Sequence, residues 1–169
     1  LGPDGRPRRD VTIVAAVPSG AMIDTGLERG LPAWCPHLST DADGRATLPD
    51  GADDLLCVIR GDGLAMRVMS FGELRAAAGI VRMDAGCEVR LIALDRLGEV
   101  MVEDACGSPA HVEPYVTLAH GVKLVAQPGA EPGEALFSGL PPTTVAIPSS
   151  GAVTIRVGGC CPTVFNRRS

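Results

Sequence analysis

Along the chain, short apolar and β-branched runs alternate with clusters of Gly, Pro and Asp. The runs 11–16 (VTIVAA), 45–48 (RATL), 55–60 (LLCVIR), 64–70 (LAMRVMS), 87–94 (CEVRLIAL) and 99–104 (EVMVED) each predict a strand. So do 115–120 (YVTLAH), 123–127 (KLVAQ), 134–137 (EALF), 143–147 (TTVAI) and 152–157 (AVTIRV). A spacing of about 8–12 residues with turn chemistry between runs is that of a sandwich or barrel. The 21 glycines and 14 prolines leave little room for long helices. One short helix is expected near 70–78, where Ser70 and Glu73 stand at capping-box spacing before good helix formers. The expected class is all-β.

The pattern also repeats loosely. PDGRPRRDVTIVAA (3–16) matches CGSPAHVEPYVTLAH (106–120) as a Gly/Pro turn, a polar step and a strand. DGRATLPDGADDLLCVIRGDG (43–63) matches GEALFSGLPPTTVAIPSSG (133–151) as a turn, a short strand, a Pro/Gly hairpin and a second strand. The matches fall in the same order, which predicts two β-sandwich units, 1–85 and 86–169. Each would be near the lower size limit for a stable core, so the halves are expected to pack on each other.

The segments DGRPRRDVTIVAA, TDADGRATLP, LLCVIRGDGLAMRVMSF and ALFSGLPPTTVAI carry a family likeness. In them the chain resembles the carboxypeptidase regulatory-like domain, a prealbumin-like or bacterial Ig-like β-sandwich, in two tandem copies. The sequence departs from that family at Ala46, where an aromatic is usual, and at PPTTV, where the family carries a tyrosine. The insert 18–39 is also longer than the family norm. The resemblance implies a non-catalytic module attached to a peptidase, an outer-membrane receptor or a surface protein, and it implies no catalytic residue.

Composition narrows the partners. Hydrophobic residues make up 46% of the 169-residue chain, enough for a packed core, while aromatics are only 3%. Trp34 and Tyr115 are the sole members of their kinds and Lys123 is the only lysine. With a formal charge of −5 and few rings for stacking, nucleic acid is not an expected partner. No apolar run approaches the roughly 18 residues that span a bilayer, so no membrane span is expected. The start at Leu1, inside a turn-like stretch, reads as part of a longer protein, and the Arg-over-Lys, Ala- and Gly-rich usage as bacterial.

Candidate chemistry is sparse. In TDADGRATLPDG (40–51), Asp41 and Asp43 match the first and third positions of a calcium loop, but Arg45, Ala46 and Ala52 break the fifth, sixth and twelfth. A tight turn is the expected reading, because Asp43-Gly44 tolerates the left-handed conformation and Asp41 can accept backbone N–H bonds. A weaker cation site would add Asp50, Asp53 and Asp54. Cys35, Cys57, Cys87, Cys106, Cys160 and Cys161 are an even number, consistent with disulfides in an exported protein. Cys57, inside LLCVI, also reads as an inert buried thiol. Cys35, His37, Cys106 and His111 would form a zinc tetrad only if the fold joined them. No nucleophile, metalloprotease or phosphate-loop motif is present, and no cofactor is expected.

The leading expectation is a non-enzymatic structural spacer or protein-interaction module, extracellular or periplasmic. Its partner would be a protein or the remainder of its own chain. The alternative is a carbohydrate- or calcium-binding module using the 18–39 insert and end loops, and an enzyme comes third. Trp34 and His37, both in the insert, are the candidate contact residues.

Overall fold

Neighbouring residues of the first strand serve different cores. Val14 and Val17 are buried on one face, and Ala15, with Val11 just ahead of the strand, on the other. The structure, a computed structural model, describes residues 1–24, 31, 33–93, 101–103, 109–111, 115–128, 134–141, 145–148, 153–158 and 164–167. The elements run β1 Thr12–Val17, β2 Met22–Asp24, β3 His37–Ser39, β4 Leu56–Arg60, β5 Arg67–Ser70, α1 Phe71–Ala76 and β6 Cys87–Ala93. They continue with β7 Met101–Glu103, β8 Pro109–His111, β9 Tyr115–Thr117, a 3-10 turn Ala119–Gly121, β10 Lys123–Val125 and β11 Gln127–Pro128. The last are β12 Glu134–Leu140, β13 Val145–Pro148, β14 Val153–Gly158 and β15 Val164–Arg167.

The described chain is mostly strand, in largely antiparallel sheets, with one α-helix and the 3-10 turn. The first sheet has the order β3-β1-β4-β5, and the second β11-β12-β6-β14. A third, β2-β10-β9, joins β2 parallel to β10. β7 and β8 pair with each other, as do β13 and β15, the latter parallel. β1 carries a bulge between Val14 and Val17, where Ala16 takes φ 58. The extra residue is why two valines three apart face the same way.

The inner core lies on one face of the β3-β1-β4-β5 sheet. Val14, Val17, Leu56, Val58 and Val68 meet Val89, Ala135, Phe137 and Leu140 of the second sheet and Ile23, Val116 and Leu124 of the third. Residues from both sides of position 85 therefore share one apolar cluster, and the β2–β10 pairing also crosses that position. The outer face holds a second cluster, in which Val11, Ala15, Cys57 and Ile59 lie beneath Phe71 and Leu74 of α1, with Leu64 and Met83.

Helix α1 forms as its cap predicts. Ser70 Oγ accepts from the Glu73 N–H at 3.1 Å and the Glu73 carboxylate accepts from the Ser70 N–H at 2.7 Å. The other first-turn N–H groups are also used, Phe71 donating to Leu55 O at 2.8 Å and Gly72 to Asp53 O at 3.0 Å. At the far end the Ala78 N–H reaches Arg75 O and the Gly79 N–H reaches Leu74 O, a Schellman closure with Ala78 at φ 51. The Phe71 ring lies where a Cβ on Gly51 would be 2.3 Å from it, so only glycine fits beneath the ring.

Several expected strands shift. Residues 45–48 form no strand: Arg45 closes a turn with Asp41, and Leu48 is drawn in as a partly buried side chain of the outer cluster. β1 pairs instead with β3, inside the stretch expected to be an insert loop. β3 is three residues long with Leu38 as its single apolar residue, too short for an alternation to show. The run 64–70 enters the sheet only at Arg67, with Leu64, Ala65 and Met66 buried ahead of it. Among the described residues no helix is long and apolar enough to cross a membrane.

Candidate functional site

Around Trp34 the backbone is tied down before the side chain is presented. Cys35 is buried in the inner core and its Sγ lies 3.7 Å from the Ala16 carbonyl oxygen. The Pro36 carbonyl accepts the Ala15 N–H at 2.9 Å, and His37 opens β3 opposite Val14. Trp34 precedes Cys35 in the turn and bend over 33–35 that leads into β3, and there its side chain faces solvent while that of Cys35 faces the core. Trp34 is 65% exposed, the most exposed of the large apolar residues described. His37 is exposed on the same edge. Of the two candidate contact residues, His37 lies in the edge strand β3 and Trp34 in the turn that leads into it.

The aspartates fall elsewhere and in separate roles. Asp41 Oδ1 accepts the N–H groups of Asp43 and Arg45, each at 2.9 Å. The Gly44 N–H bonds to Asp41 O at 3.0 Å and the Asp41 N–H to Arg45 O at 2.9 Å. Gly44 takes φ 70, and a Cβ there would lie 3.0 Å from Arg8 N. The TDADGR segment is thus a turn whose glycine lets it nest against the PDGRPR segment. Thr40 stitches the two, donating to Arg8 O at 2.7 Å and accepting from the Val11 N–H at 3.0 Å. In the N-terminal turn the Arg6 N–H, accepted by Asp4 Oδ1 at 3.1 Å, is the main cause that holds Asp4 below its ordinary range.

Asp53 stands at the opposite end of the sheet, just before β4, where its carboxylate pairs with Arg75 of α1. It anchors the helix rather than joining Asp41 and Asp43. Among the described residues no three His, Cys, Asp or Glu side chains are grouped as a metal would require.

The thiols divide by face. Cys35 and Cys87 belong to the inner core, whereas Cys57 lies in the outer cluster on the far side of the sheet. Cys35 and Cys57 stand as thiols, and burial pushes both up, Cys57 to about 12. A thiol held that high stays protonated and unreactive at neutral pH. Cys106, Cys160 and Cys161 lie outside the described residues, and with Cys106 the zinc tetrad.

One polar group escaped the sequence reading. His120, in the 3-10 turn, places Nε2 2.9 Å from Glu73 Oε2, and its carbonyl accepts from Ser19 Oγ at 3.2 Å. The hydroxyl meets the backbone of His120 and not the imidazole, so the three do not form a nucleophile–base pair. The capping box made Glu73 visible as a helix residue; no local signal could have paired it with a histidine 47 positions away.

Compared with protein-family models, curated proteins and solved structures, the chain matches none. The likeness to the carboxypeptidase regulatory-like domain rests on the turn motifs alone.

Proposed function

We propose that this chain is a non-catalytic β-sandwich module of a longer, exported bacterial protein. It works as a spacer or protein-interaction surface, with Trp34 and His37 as contact residues. The observation that carries this reading is the exposure of the single tryptophan, 65%, on backbone already fixed by a buried cysteine and a strand. Large rigid aromatics dominate binding hot spots, and a contact whose backbone is already ordered costs less to immobilise. The tandem Ig-like organisation is part of the same proposal, supported by the repeated motif order and by the nested TDADGR and PDGRPR turns.

The test is photo-cross-linking in the full-length parent protein, with a benzophenone side chain at position 34. The same group at position 80, where Ile80 is 58% exposed, serves as the control. Cross-links from position 34 to one defined peptide of the parent or a partner, absent from position 80, support the contact reading. Equal and diffuse products from both positions refute it. The second reading, carbohydrate binding, draws on the same exposed indole and is favoured by a thermal shift with a glycan. Calcium is the weaker ligand, because the Asp41 carboxylate already serves turn N–H groups.

A further inference from the structure

Glu73 Oε2 serves two partners at once. It accepts the Ser70 N–H at 2.7 Å, closing the helix cap, and lies 2.9 Å from His120 Nε2. His120 arrives from the connection between β9 and β10 and sits at φ 55, ψ 23, a conformation that costs a non-glycine residue energy. Such strain persists only where the surroundings impose it. Here Ser19 Oγ holds the His120 carbonyl, Val122 is fully buried, and the Lys123 N–H bonds to Ala21 O at 2.8 Å. The backbone on both sides is fixed, and the ring is directed at the helix.

What the ring meets has little strength of its own. Helix α1 is six residues long, below the length at which a helix persists without tertiary support. Its Phe71 and Leu74 close the cluster that contains Cys57. We propose that Glu73 and His120 form an acid-released clasp that holds α1 over the outer face of the first sheet and, when the carboxylate takes a proton, lets the helix lift and uncover Cys57.

The charged groups in reach are few. Glu73 meets the Ser70 N–H and His120; His120 meets Glu73, and Ser19 through its carbonyl. On the helix Arg75 is engaged by Asp53 and by Gly51 O, and Lys123 stands over the Tyr115 ring, 4.9 Å from its centre. The Ser70 N–H first, and His120 after it, hold Glu73 below its ordinary 4.5, against an opposing effect of burial. The sign follows: stabilisation by Glu73 is complete above 4.5 and is lost as the pH falls through the lowered value. One proton takes the charge from the cap acceptor, weakening its bond to the Ser70 N–H, and removes the anionic partner of His120.

The test uses the intact chain and a thiol reagent that works in acid, dithiodipyridine, with labelled cysteines mapped by peptide mass. Rates are divided by those of the unfolded chain at the same pH. Between about pH 6 and about pH 3.5, a span that covers ordinary carboxylate titration, Cys57 labelling should rise several-fold while Cys35 stays protected. Glu73→Gln keeps an acceptor for the Ser70 N–H without titrating, and should show a clearly smaller rise. His120→Asn, a residue that tolerates the left-handed region, should label faster at Cys57 even at the higher pH. Cys57 and Cys35 rising together would mean global unfolding and would overturn the clasp. An equal acid response in wild type and Glu73→Gln would overturn it as well.

Discussion

The two faces of the β3-β1-β4-β5 sheet are built from alternate residues of the same strands but held by different forces. On the inner face Val14, Val58 and Val68 pack against Val89, Val116 and Phe137 from beyond position 85, in a cluster of aliphatic side chains with Phe137, Met66, Cys35 and Cys87. On the outer face Cys57 and Ile59 lie beneath a six-residue helix that immediately follows β5. That helix is positioned by a capping box, the Asp53–Arg75 pair and the His120–Glu73 contact. Apolar burial scales with area and loses little when one polar bond is cut. A cover fixed by a handful of polar bonds depends on each of them, so the outer face should open first.

Truncating one phenylalanine on each face puts this contrast to its hardest use. Phe137→Ala, from a side chain with no exposure, should cost stability near the top of about 3–5 kcal/mol in denaturant titration. Phe71→Ala, 4% exposed at the rim, should cost near the bottom of about 3–5 kcal/mol, because the lifted helix can settle into the space. Equal costs would erase the difference between the faces.

Smaller changes sharpen the outer face. Ser70→Ala removes a cap acceptor and should cost about 1 kcal/mol, read from the same titration. Ala78→Gly relieves a left-handed alanine at the helix end and should gain about 0.5–1 kcal/mol, since glycine is the usual residue at that position. The smallest effect is expected at Trp34→Ala, within about 0.5 kcal/mol of wild type, because the indole is 65% exposed. A loss of several kcal/mol there would make Trp34 a packing residue and remove the proposed contact.

The strand class and the helix were legible in the sequence because both are written locally. The apolar, β-branched runs VTIVAA and LLCVIR between turn residues marked β1 and β4, and Ser70 with Glu73 marked α1 to within a residue or two. The turn at 41–45 was legible for the same reason, since Asp43-Gly44 states its backbone conformation. What was missed is held by partners far along the chain. β2 is three residues and becomes a strand only by joining β10, a hundred positions on. β3 exists because β1 offers it an edge, and the expected strand 45–48 lost out to it. Of the proposed contact site, residue types and position were readable but not exposure. Trp34 faces water beside a cysteine buried in the inner core, an arrangement that rests on partners far along the chain.

Native-state hydrogen exchange in low denaturant tests the division between the faces most directly. The Ala77 and Gly79 amides, bonded to Glu73 O and Leu74 O, report the outer cover, and the Met66 amide, bonded to Gly139 O, reports the junction of the two halves. The helix amides should exchange through a small opening with weak denaturant dependence, while Met66 exchanges only through global unfolding. A single opening energy and one denaturant slope for all three amides would contradict it, leaving a sheet whose faces unfold as one.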